Sequence, residues 1–138
     1  SSVSAQYGAP GARGEARAGF PHVRRASDVL AAARRAGTPE GDARLDALLT
    51  VMSTLQDTEL LYTAGPHGLR RVQAGARAVI EAGGTATAAG REALTTLDTD
   101  LRERGWSPRG SASLLAGALF VDTLFVDALP VAAARVAA

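Results

Sequence analysis

A chain of 138 residues with 46% apolar residues is long enough to bury the core of one domain and ordinary in composition for a globular protein. Its net charge of +1 and its 4% aromatic content argue against a nucleic-acid-binding module and against attachment to an anionic membrane. The lack of cysteine excludes a disulfide framework, a thiolate metal site and a cysteine nucleophile, and it fits the cytoplasm, where we expect the chain to reside.

All fifteen basic residues are arginine, so every side-chain cation is a planar, permanently charged fork. Alanine and leucine carry the apolar load, which favours helix over strand. The opening ten residues have neither a basic start nor an apolar run, so no secretory leader is expected. The first residue is Ser1 rather than methionine, which suggests a fragment or a processed product.

Ser1 to Gly14 reads as loop or a short helical end. From Glu15 to Ala36 the pattern is helical, with Phe20, Val23, Val29 and Leu30 as candidate buried positions. Pro21 is placed to kink or restart that helix, and Ser27-Asp28 to open a second piece with Ser27 as its cap. Gly37 to Gly41 is a linker by composition. Asp42 is the expected cap of the next helix, whose Leu45, Leu48, Leu49, Met52 and Leu55 recur at helical spacing. That helix leads into Gln56-Asp57-Thr58, where Asp57 reads as a C-terminal helix residue.

A break is expected at Ala64-Gly65-Pro66, then a helix to Ala82 with Leu69, Val72, Ala76, Val79 and Ile80 as its stripe. Gly83-Gly84 ends it, and Thr85 or Thr87 starts another that buries Leu94, Leu97 and Leu101 and closes at Gly105. Trp106 to Gly110 reads as a tight loop, with Ser111 as the cap of a last long helix that Pro130 ends or kinks. The apolar stretch from Leu114 to Leu129 carries Asp122 and Asp127 and falls short of the ~20 residues of a bilayer span, so it reads as a buried helix. No segment alternates with strand period. The expected fold is an all-α bundle of about five or six helices, residues 1–138 forming a single domain.

Three polar stations interrupt the helices. Gly8 to Val23 mixes glycines with Arg13, Arg17 and Glu15; glycine next to arginine lets N–H groups and guanidinium forks approach an anion closely, and Glu15 among cations should stay ionised. The second station is Gln56-Asp57-Thr58. The third, Ser107 to Ser111, runs a glycine-containing turn into a helix start, whose unpaired N–H groups favour anions. Each has a plainer reading as solvated loop, helix end or cap. His22 and His67 are isolated, with no second ligand at zinc-site spacing.

In these stations the chain resembles the carboxy-terminal half of the triphosphoribosyl-dephospho-coenzyme A synthase family. The matching runs are Gly11-Ala12-Arg13-Gly14-Glu15-Ala16 with Gly19-Phe20-Pro21, then Asp57-Thr58 with Leu60-Leu61, then Gly68-Leu69 with Val72-Gln73. Leu97-Asp98 and Ser107-Pro108 with Gly110-Ser111-Ala112 and Leu114-Leu115-Ala116 complete the match. Three departures stand out: Tyr62-Thr63 replace a usual His-Arg pair, Arg109 replaces a glycine, and Ser113 replaces an aspartate.

The resemblance implies an all-helical transferase, here half of a larger fold. It would use ATP and dephospho-coenzyme A as substrates, release adenine, and make the prosthetic-group precursor of a citrate lyase or malonate decarboxylase carrier protein. It implies attack of the 2′-hydroxyl of dephospho-coenzyme A on C1′ of the ATP ribose, with Mg²⁺ on the triphosphate. Glu15 and Asp57 are then the expected catalytic carboxylates and metal ligands. Arg13, Gly14, Ser107, Arg109, Gly110 and Ser111 are the expected substrate-binding residues. A second chain or the other half of the fold, or a homo-oligomer, is an expected partner. The alternative is a catalytically degenerate helical subunit that binds nucleotide or a partner chain.

Overall fold

The computed structural model describes Glu15, residues 20–113, and residues 115, 116, 118 and 119. Among these residues the chain forms five helices and no strand. Helix α1 spans Pro21–Arg35, α2 Glu40–Met52, α3 Thr58–Glu81 and α4 Ala88–Arg104, and α5 begins at residue 109.

Pro21 occupies the first turn of α1, where its missing N–H and fixed φ cost nothing. The chain enters this helix through Phe20 in the left-handed region (φ 56°, ψ 54°). That geometry turns the Phe20 ring outward, so it is half-exposed rather than buried. The restart expected at Ser27 does not occur. Helix α1 runs unbroken past Ser27 because Ala26 and Leu30, one turn apart, are both fully buried and fix the same face.

Helix α2 also begins differently from the sequence reading. Pro39, not Asp42, holds the capping position, and Asp42 lies inside the first turn, where its carboxylate meets Arg91 of α4 at 2.7 Å. An acid there still complements the positive end of the helix.

Helix α2 is the central element because it is apolar on two sides. Ala43, Ala47 and Val51 pack with Ala26 and Leu30 of α1 and with Leu115 and Ala118 of α5. Leu49 and Met52 join Leu60, Leu61, Leu69, Val72, Ala76 and Val79 of α3 and Leu97 of α4. Leu45, Leu48, Leu94, Leu101 and Trp106 pack against this second cluster from its margins. Ile80, expected on the α3 stripe, lies on its exposed side.

The break expected at Ala64-Gly65-Pro66 appears as a kink inside α3. Gly65 takes φ 72°, ψ 179°, a conformation open to glycine and closed to side-chain-bearing residues, and Pro66 resumes the helix. Beyond Gly83-Gly84 the α3–α4 turn is held from α2. The Thr85 N–H and hydroxyl both donate to Asp46 Oδ1 at 2.8 Å, and the hydroxyl also reaches the Asp42 carbonyl. Thr87 caps α4 by accepting from the Gly90 N–H at 3.0 Å. Gly105 ends α4 with φ 67°, and Trp106 then lies across Gly68 of α3 with the Arg104 guanidinium 5.2 Å from its ring centre.

Candidate functional site at one end of the bundle

Asp57 is not the C-terminal helix residue that the sequence suggested. It is the N-cap of α3, and its Oδ1 accepts from the Glu59 and Leu60 N–H groups at 3.1 and 3.2 Å. Its Oδ2 accepts from the Ser111 N–H at 2.9 Å and the Ser111 hydroxyl at 3.1 Å. One carboxylate therefore serves the N-termini of two helices. The residue is 1% exposed, and its four acceptor positions are filled by these four donors.

This arrangement also corrects the reading of Ser111 as a cap. The Ala112 N–H bonds to the Pro108 carbonyl, so Pro108 holds the capping position and Ser111 lies in the first turn of α5. Proline and the following Arg109 offer no short acceptor side chain for that turn, so the acceptor comes from Asp57, 54 residues away in sequence. Gly110 makes the approach possible: a Cβ there would lie 3.0 Å from Asp57 Cγ and Oδ1. Ser107 and Arg109 are exposed at the same turn.

Glu15 plays a related part at the start of α1. It is 7% exposed, and its Oε1 accepts from the His22 N–H at 2.7 Å and the Val23 N–H at 3.4 Å. Its Oε2 meets His22 Nδ1 at 2.8 Å. Its carbonyl accepts from the Phe20 N–H, closing the left-handed turn. Burial works against ionisation of Glu15, but the His22 ring and backbone bonds outweigh it and hold the carboxyl below the usual glutamate range. Arg13 and Gly14, expected beside Glu15, lie outside the described residues.

The stations at Glu15, Asp57 and Ser107–Ser111 belong to one end of the molecule. Helices α1 and α2 pack together, joined by a short turn at their far ends, and Arg25 of α1 donates to Thr54 just beyond α2 at 3.1 Å. The α2–α3 connection that carries Thr54 also carries Asp57, and it is pinned by Gln73 to the Leu55 carbonyl and by Arg77 to the Ser53 carbonyl, both at 3.1 Å. Asp57 in turn joins the start of α5. Three helix N-termini thus meet at this end, with the Glu15 carboxylate on α1 and the Asp57 carboxylate on α3 and α5 offsetting their partial positive charge.

Mg²⁺ does not fit a cage made by these carboxylates. No group of three potential metal ligands gathers among the described residues, Asp57 has no acceptor position left, and both Glu15 oxygens are engaged. A groove of about 560 Å³ lies elsewhere, between α3 and α4, lined by Arg71, Thr95, Thr96, Leu97, Thr99, Asp100 and Glu103. Arg71 there is already held by Asp100, which also takes Arg104, so the groove presents a neutralised wall. No described helix is long and apolar enough to cross a membrane.

His22 is the residue whose role the sequence reading missed. The signal was its position one residue after Pro21, which places its N–H and ring at the first turn of a helix facing the Glu15 station.

The CitG family, described as ATP:dephospho-CoA triphosphoribosyl transferase, matches residues 1–129. A probable 2-(5''-triphosphoribosyl)-3'-dephosphocoenzyme-A synthase of Stutzerimonas stutzeri is 52% identical over 120 residues, covering 86% of this chain and 41% of that protein. Proteins of the same name from Azotobacter vinelandii and Pseudomonas syringae pv. tomato are 52% and 50% identical, over 86% and 88% of this chain and 41% and 42% of theirs. The chain therefore spans about two-fifths of the length of the curated relatives it matches. No solved structure matches it. With a family match along nearly its whole length and half of the aligned residues shared with these synthases, the chain belongs to the CitG family of ATP:dephospho-CoA triphosphoribosyl transferases.

Proposed function

We propose that this chain forms one wall of a site that transfers the triphosphoribosyl group of ATP to the 2′-hydroxyl of 3′-dephospho-coenzyme A with release of adenine. The product is the prosthetic-group precursor of a citrate lyase or malonate decarboxylase acyl carrier protein. The observation that carries the reading is the meeting of three helix N-termini and three separate sequence stations at one end of the bundle. A triphosphate is the polyanion that the permanently charged arginines of these stations would attract, since the N–H groups of His22, Val23, Glu59, Leu60 and Ser111 are already taken by Glu15 and Asp57.

In this reading Arg13, Gly14 and the exposed Ser107 and Arg109 contact phosphate. Asp57, saturated by its four donors, holds Gly110 and Ser111 in place so that the turn keeps its shape when substrate arrives. The divalent cation arrives on the triphosphate, ligated by phosphate oxygens rather than by a cage in this chain. Since the relatives are more than twice as long, the opposite wall comes from further residues of the same fold, from a second chain, or from a second copy.

The test is calorimetric titration of ATP with Mg²⁺ into the purified chain, followed by an assay for adenine on adding dephospho-coenzyme A. Binding with adenine release supports a complete site. Binding without release favours the alternative, a degenerate subunit that holds nucleotide without chemistry. Absence of both from the protein at its full natural length overturns the reading.

A further inference from the structure

We propose that His22 is the general base of this site, with Glu15 as the positioning residue that orients it. The inference rests on the transfer reading above and names the group that takes the hydroxyl proton.

Glu15 clasps residue 22 at two points, the backbone N–H on Oε1 at 2.7 Å and the ring Nδ1 on Oε2 at 2.8 Å. An ionised carboxylate can only accept, so the proton of the neutral ring sits on Nδ1 and the Nε2 lone pair is left as acceptor. The same carboxylate is tied to the helix by the Val23 N–H, and its own carbonyl is tied to Phe20, so neither partner is free to swing. The His22 side chain is 20% exposed, against 7% for Glu15, which places the carboxylate behind the ring and the ring toward solvent. A carboxylate–imidazole pair of this kind sets tautomer and direction at once.

Glu15 is poorly placed to act as the base itself, since both its oxygens already accept hydrogen bonds. Asp57 is further disqualified by full burial and four donors. His67, the other histidine, is exposed on α3 and hydrogen-bonded to Arg70.

The 2′-hydroxyl oxygen forms a bond to C1′ of the ATP ribose as its proton passes to His22 Nε2. The C1′–N9 bond breaks, its electron pair leaves with adenine, and adenine takes a proton from water while His22 returns its own to solvent.

The experiment compares adenine release by the protein at its full natural length for the wild type, His22→Asn, His22→Ala and Glu15→Gln, with His67→Asn as control. Asparagine can keep the donor to Glu15 while removing Nε2. His22→Asn is expected to lower kcat about 10²–10⁴-fold with KM for ATP little changed. His22→Ala is expected to regain activity with added imidazole, which a purely structural histidine would not do. Glu15→Gln should lower kcat in the same direction, and His67→Asn should match the wild type. In the chain itself, nitrogen-15 NMR should report His22 with its proton on Nδ1.

An inactive wild type defeats the transfer reading and the base together. An active wild type with an equally active His22→Asn, or with no imidazole rescue of His22→Ala, overturns the base alone. A His22 proton on Nε2 in the neutral ring overturns it as well.

Discussion

Gly110 lies against the face of the Asp57 carboxylate, so close that a Cβ at residue 110 would stand 3.0 Å from Asp57 Cγ. The carboxylate cannot retreat, since its four hydrogen bonds tie it to α3 on one side and α5 on the other. Gly110→Ala is therefore expected to destabilise the chain by about 1–3 kcal/mol, the range of an overpacked contact that its neighbours cannot relieve. Denaturant midpoints of the two proteins measure the difference. Removing the carboxylate should release the constraint, so Gly110→Ala should cost markedly less in an Asp57→Ala background.

Asp57→Ala by itself should cost more. It removes a helix cap worth about 1 kcal/mol and leaves buried donors at Leu60 and Ser111 unpaired, at roughly 1–3 kcal/mol for each group that water cannot reach. Hydrogen exchange is the sharper measurement here: the amides at Leu60 and Ser111 should lose protection while those in the middle of α2 keep theirs.

The α3–α4 turn offers a second backbone test. A Cβ at Gly90 would overlap the Gly84 carbonyl, which is backbone and cannot rotate away. Gly90→Ala should then cost about 3 kcal/mol or more, the range of severe core disruption. Thr87→Ala, which removes the cap on Gly90 and the hydroxyl's bond to the Gly84 carbonyl, should cost about 1–2 kcal/mol. Thermal unfolding of both variants separates the two effects.

Glu15 predicts an acid limb in the stability profile. Its folded carboxyl lies below the ordinary glutamate value of 4.5, so its contribution is fully present above that pH and is lost as pH falls through the depressed folded value. Stability of the wild type should drop below about pH 4.5, and Glu15→Gln should remove part of that drop. Glu40 is shifted further, to about 2, by hydrogen bonds from Arg34 and Arg44, yet it is exposed. Water screens that pair, so Glu40→Gln should alter the acid limb less than Glu15→Gln does. Urea denaturation across pH 2–6 decides between them.

Trp106 provides a spectroscopic check on the packing of α3 against the α4–α5 turn. It is the sole tryptophan, and it covers Gly68, where a Cβ would meet the ring at 3.0 Å and also crowd Ala64. Gly68→Ala should push the indole toward water and red-shift its emission, with a stability loss of about 1–3 kcal/mol. An unshifted spectrum would show that the ring does not rest there, whereas the stability loss also reports the crowding of Ala64.

The order of the helices was legible because it depends on local chemistry. Leu49 and Met52, or Leu69, Val72 and Ala76, recur at 3.6-residue spacing, and Gly65-Pro66, Gly83-Gly84 and Gly105 punctuate the pattern wherever the backbone must leave the helical region. The three polar stations were legible for the same reason, since each breaks an apolar period, and their resemblance to the family motivated the proposed chemistry.

The roles of the acids were decided only in three dimensions. Asp57 looked like the end of one helix because nothing local shows that α5, starting with Pro108 and Arg109, lacks an acceptor of its own and takes one from 54 residues away. Glu15 looked like a carboxylate among arginines, but its ionisation is secured by His22 and the first turn of α1. Ser27 and Asp42 looked like caps, and burial of Ala26 and Leu30 or the placement of Pro39 overrode them. Local sequence sets where a backbone can bend or coil. Which donor meets which carboxylate depends on helices brought together by the burial of both faces of α2, a contact that no short window of sequence contains.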